Sequence, residues 1–132
     1  MSYTQYVTKY KFSSEEASKV HKHGVDLTIY NENIPQVNVV QVSVEEGHFQ
    51  EFLDKECYFI YSIHEGNGLF VLNDEKVEAK AGDLVVIPPK TRIHYFGNMK
   101  MTLTVSPAFK PENEEHIRFV EKRESPFLNN DL

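Results

Sequence analysis

Between Gly66 and Asn98 the chain alternates short apolar runs with turn-forming residues, at a beat too tight for helices. Gly66-Asn67-Gly68 leads into Leu69-Phe70-Val71-Leu72, and a turn at Asn73-Asp74 follows. Gly82-Asp83 leads into Leu84-Val85-Val86-Ile87, which Pro88-Pro89 stops before His94 and Asn98. Runs this short, rich in β-formers, read as buried strands. Gly66 and Gly68 admit backbone angles denied to other residues, and the prolines end a ladder by removing its donors. Short strands separated by tight turns predict a small antiparallel β-barrel or sandwich.

The rest of the chain fits that reading. A length of 132 residues suits one domain and not two. Hydrophobic residues at 40% supply a core, and the aromatics are Tyr and Phe, which strands favour. The 14 basic side chains against 20 acidic ones argue against nucleic acid or an anionic membrane as partner, since both need a basic footprint. Cys57 is the single cysteine, so neither an intrachain disulfide nor a CxxC metal knot is possible, and its apolar setting predicts a buried small hydrophobe. Met1 to Tyr6 lacks the charged and apolar regions of a leader, and no segment approaches the roughly 20 apolar residues of a membrane helix. A cytoplasmic location is the resulting expectation.

Residues 1–36 read as an arm, 37–109 as the barrel and 110–132 as a tail. Ser13 and Glu16 have capping-box spacing, which predicts a short helix to about His23, ended by Gly24. Val25 to Tyr30 reads as a strand able to cover a partner's sheet. Val40, Val42 and Val44 share one face by alternation, as do Met99, Met101, Leu103 and Val105. Gly97-Asn98 is a hairpin signal between Arg92–Phe96 and Met99–Val105. Ile117 to Val120 suits an edge strand or a short helix.

The order and spacing of Gly82, Pro88, His94 and Asn98 resemble the second motif of the cupin family. The resemblance covers about Val37 to Glu115 and implies an all-β fold, the double-stranded β-helix or jelly-roll barrel, and a homodimer. Counting forward from Pro88 puts the family's histidine position on Ile93, while counting back from Asn98 puts it on His94. A one-residue bulge would reconcile the two. The first motif, normally His-x-His followed by a carboxylate, is degenerate. Phe59 stands at the carboxylate's place, and only a longer loop slides His48-Phe49-Gln50 into the histidine pair.

The expected function is therefore small-molecule binding inside the barrel, with no metal and no cofactor. His94, Tyr61, Phe59, Met101 and His48 are the candidate ligand-binding residues. His94 is placed on an inward-facing strand by its motif, with a satisfied core histidine as the rival reading. For His48, which follows Glu45-Glu46-Gly47, a surface histidine in an acidic patch is the favoured account. Tyr61 and Tyr95 offer phenols to a ligand if a cavity exists and are otherwise core. The rival function is a metal-dependent isomerase or dioxygenase using His48, Gln50 and His94, which would have to converge at about 2 Å from one ion.

Overall fold

Two long strands organise the molecule. The computed structural model describes residues 10–127, and within them nine strands form. These are β1 (Ser18–Lys22), β2 (Val25–Ile29), β3 (Asn38–Val44), β4 (Gly47–Asp54), β5 (Tyr58–Leu72), β6 (Glu75–Lys80), β7 (Leu84–Ile87), β8 (Ile93–Ser106) and β9 (Glu114–Phe119). β5 and β8 run antiparallel over their whole length, from Tyr58 opposite Ser106 to Leu72 opposite Ile93. The far edge of β8 carries β4 on its first half and β3 on its second. The far edge of β5 carries β7 on its first half and β6 on its second. The spine thus fans into two facing sheets, β1-β2-β3-β8-β5-β7 and β9-β4-β8-β5-β6. This is the expected jelly-roll barrel.

The crease between the sheets explains the glycines. Gly66 (φ +84°) and Gly97 (φ +125°) lie inside β5 and β8, not in the turns that their sequence context suggests. A Cβ on Gly66 would stand 1.9 Å from the Asn98 carbonyl oxygen, and one on Gly97 would stand 2.5 Å from that of Asn67. A bulge between Ile63 and Glu65 adds twist at the same place. Asn73 (φ 50°) and Asp74 (φ 69°), by contrast, do form the tight β5–β6 turn that the sequence predicts.

The arm differs from its sequence reading. The Glu16 amide donates to Ser13 Oγ at 3.3 Å, as in a capping box, and the Ser13 hydroxyl donates to the Glu16 carboxylate at 3.0 Å, yet the pair closes a turn and no helix follows. Ser18–Lys22 instead pairs with β2 through a hairpin at His23 (φ 52°) and Gly24 (φ 95°). A helix of two or three turns is marginal in isolation, whereas a hairpin that extends an existing sheet shares its packing. β2 is bonded on both edges within its own chain, by β1 and β3, and so has no free edge for a partner. In the tail, the strand alternative holds: β9 pairs with β4.

Alternation sorts the core as the sequence predicts. Val40, Val42 and Val44 are buried together with Met99, Met101, Leu103 and Val105. Cys57 is fully buried; its thiol donates to the Pro107 carbonyl at 3.1 Å, and burial pushes it up to about 12. Among the described residues no helix is long and apolar enough to cross a membrane.

Candidate active site between the two sheets

The two sheets enclose a cavity of about 330 Å³. Its aliphatic wall comes from alternate residues of β2 and β3, including Leu27, Val40 and Val42. Phe52, Phe59, Tyr61 and Tyr95 form an aromatic wall, with His48 among them. The ring of His48 lies 5.3 Å from that of Tyr95, and Tyr61 meets Tyr95 edge-on at 5.7 Å. Lys22, Glu32 and Glu114 line the cavity from β1, the β2–β3 loop and the start of β9. Asn38 also lines it, but its amide is occupied by backbone: Nδ2 donates to the Asn31 carbonyl (2.9 Å) and Oδ1 accepts from the Phe109 amide (2.7 Å).

His48 is buried and not a surface residue of an acidic patch. Gly47 opens β4, so Glu45 and Glu46 stay in the preceding turn while alternation sends His48 inward, opposite Tyr95. Its Nδ1 is 2.8 Å from the Gln50 carbonyl, an acceptor, so Nδ1 carries the proton and Nε2 is left as a free base. Burial, with smaller contributions from the nearby His23 and Lys22 charges, lowers its pKa to about 4. The ring is therefore neutral at physiological pH. Tyr61 and Tyr95 are hydrogen-bonded to each other, and burial raises both well above the ordinary tyrosine value, which keeps them as phenols.

The other sequence candidates divide. Phe59 and Tyr61 line the cavity with His48, while Met101 is packed in the core outside its lining. His94 faces the other way. The β5–β8 register runs without a break from Ile93 to Phe96, so the bulge that would turn His94 inward is absent. The irregularity lies in β4 instead, between His48 and Phe52. Ile93 and Tyr95 consequently point into the core, and His94 shares the outer face with Phe96 at 5.4 Å. Lys22, Glu32 and Glu114 were not legible as site residues, because they come from the arm, a loop and the tail and carry no motif.

Residues 46–97 match the family model of the AraC-like ligand-binding domain. Pac13 from Streptomyces, described as a β-barrel nucleoside dehydratase, is 52% identical with a TM-score of 0.87, covering 90% of this chain and 99% of that one. An RmlC-like cupin from Shewanella frigidimarina superposes with a TM-score of 0.65 at 15% identity, covering 78% and 95%. The chain belongs to the cupin family. Three variants of Pac13, one with a histidine changed to glutamine and two with a tyrosine changed to phenylalanine, have been solved with uridine. The uncharacterized protein MJ1618 of Methanocaldococcus jannaschii is 39% identical over 64 residues, 47% of this chain, and the match spans half of that protein's length.

In this cupin the residues of the rival metal reading do not converge. His48 faces the cavity, Gln50 turns its amide to His116 Nδ1 at 2.9 Å, and His94 is on the opposite face of β8. Among the described residues no group of three or more His, Cys, Asp and Glu is arranged to hold an ion.

The outer face behind the cavity is held by an ion cluster. Glu51, almost fully buried, receives Arg92 at 3.3 Å and Arg118 at 3.4 Å, with His94 Nδ1 at 3.6 Å. Arg92 also pairs with Asp74 and Arg118 with Glu124, so β4, β8, β9 and the β5–β6 turn are tied together. Burial lowers the pKa of His94, while the Glu51 carboxylate opposes that shift. Glu51→Ala should destabilise the protein by roughly 2–3 kcal/mol, below the usual loss for a buried pair because both arginines reach solvent. Urea denaturation checks this; a loss under about 0.5 kcal/mol, the size of an ordinary surface change, would refute it.

Proposed function

We propose that this cupin is a nucleoside dehydratase working in the intersheet cavity, with His48 as its acid–base group. One coincidence of position carries the reading. The histidine and the two tyrosines altered in the uridine-bound Pac13 variants have the same separations along their chain as His48, Tyr61 and Tyr95 have here. Here those three side chains line a single cavity.

The geometry suits elimination of water. A base removes a proton from carbon, the C–H electron pair becomes the new C=C bond, and the C–O bond on the neighbouring carbon breaks. Neutral Nε2 of His48 takes the proton, and the resulting imidazolium returns it to the departing hydroxyl, which leaves as water. An imidazole removes such a proton readily when a carbonyl stands beside the carbon, which favours an oxidised nucleoside as substrate. Tyr61, which accepts from Tyr95 and is held as a phenol, keeps its own O–H to donate to an oxygen where negative charge develops. The apolar wall of β2 and β3 receives the flat base.

The test is incubation with carbonyl-bearing nucleosides, with loss of one water followed by mass spectrometry and uridine binding followed by calorimetry. Dehydration of at least one nucleoside, together with uridine binding, is expected. A protein that binds no uridine, or that dehydrates none of the panel, is not a nucleoside dehydratase of this kind.

A further inference from the structure

We infer that the cavity selects uncharged nucleosides over nucleotides by charge, with Glu32 and Glu114 as the selecting residues. The inference rests on the nucleoside reading above and adds to it a discrimination that the family likeness does not contain.

The lining side chains carry the argument. Lys22 is the single cation that lines the cavity among the described residues, against the two carboxylates Glu32 and Glu114. His48 is neutral and both tyrosines are protonated, so the ionisable interior adds no positive charge. A phosphate monoester brings about 1.5 to 2 negative charges. Proteins hold such a group with arginine forks or with the amide-lined N-terminus of a helix. Neither is on offer. The chain has three arginines, and each is paired with a carboxylate away from the cavity: Arg92 with Glu51 and Asp74, Arg118 with Glu51 and Glu124, and Arg123 with Glu121. The 3-10 turn beside Glu114 has Pro111, which lacks an amide proton, and Glu112 in its first turn.

The two carboxylates are also well placed to act on a ligand. Glu32 is anchored by a hydrogen bond from the Ser18 hydroxyl of β1. Glu114 starts β9, directly after the 3-10 turn, and its charge acts on Tyr61 inside the cavity and on His23 behind it. One carboxylate comes from the β2–β3 loop and the other from the tail, and both line the same cavity, so a phosphate held in it is repelled by two like charges.

Calorimetry with uridine and uridine 5′-monophosphate, on the wild type and on a Glu32→Gln/Glu114→Gln double variant, tests this. In the wild type the monophosphate should bind roughly tenfold more weakly than uridine at low salt, and added salt should narrow the gap. In the double variant the ratio should fall to within about threefold, the residue of a largely removed Coulomb term. Equal or tighter binding of the monophosphate by the wild type would overturn the inference and make Lys22 a phosphate anchor, leaving the nucleoside reading intact. An unchanged ratio in the double variant would overturn it in favour of exclusion by shape. Failure of the wild type to bind uridine would remove the nucleoside reading itself, and this inference with it.

Discussion

His48→Gln is expected to lower kcat by roughly two to four orders of magnitude while the barrel stays folded. Glutamine fills much of the same space, so the aromatic neighbours Phe52 and Tyr95 keep a contact at that position. Its amide cannot take up and return a proton, which removes the chemical step and leaves substrate binding comparatively intact. In the wild type the acid limb of kcat should fall near pH 4, where buried His48 titrates, and not near the ordinary histidine value of 6.5. The same shift has a consequence for stability. The unfolded chain protonates this residue below about 6.5, whereas the folded protein resists protonation down to about 4. Stability should therefore decline by about 3 kcal/mol as pH falls through that window, a decline His48→Gln would lack. Steady-state kinetics and urea denaturation at pH 4.5 and 7 read both effects. A variant within tenfold of wild-type kcat would exclude His48 as the acid–base group.

Gly66→Ala is expected to cost more than about 4 kcal/mol, enough to unfold most single domains of this size. The added Cβ would sit 1.9 Å from the Asn98 carbonyl oxygen, a backbone atom held by the β5–β8 ladder, at a φ of +84° that already disfavours alanine. The two spine strands would have to part at the crease where one sheet becomes two. Gly82→Ala isolates the contribution of the clash. Gly82 also has positive φ, at +98°, but nothing lies within 4 Å of its would-be Cβ. Strain alone should cost roughly 1–2 kcal/mol there. Comparing the urea midpoints of the two variants measures the difference; equal losses would mean that the close approach at the crease is not what demands glycine.

These two sites mark the boundary between what the chain shows locally and what it does not. Gly66 and Gly97 look alike in sequence whether they turn a hairpin or let two strands touch. Only the partner strand distinguishes the cases, and it is some thirty residues away in the chain. His48 and His94 pose the same problem. Each is a histidine on a strand, and a shift of one residue decides which face it occupies. The irregularity in β4 and the unbroken register of β8 set that phase, turning His48 to the cavity and His94 to Glu51.

Features that depend on neighbours along the chain were legible in the residues themselves. The period-two stripes of β3 and β8, the Asn73-Asp74 turn and the stop at Pro88 all follow from side-chain size and backbone freedom within a few residues. With the cupin-like spacing they were enough for the barrel and for Tyr61 and Phe59 as candidates on its inner wall. Closure of the barrel settled the rest. It turned the arm from helix to hairpin by offering it a sheet edge, selected which histidine faces inward, and brought Lys22, Glu32 and Glu114 to one cavity from the arm, a loop and the tail. The physical reason is that burial and charge at a site are sums over groups distant in sequence, and no local pattern records which of them the folded sheets bring together.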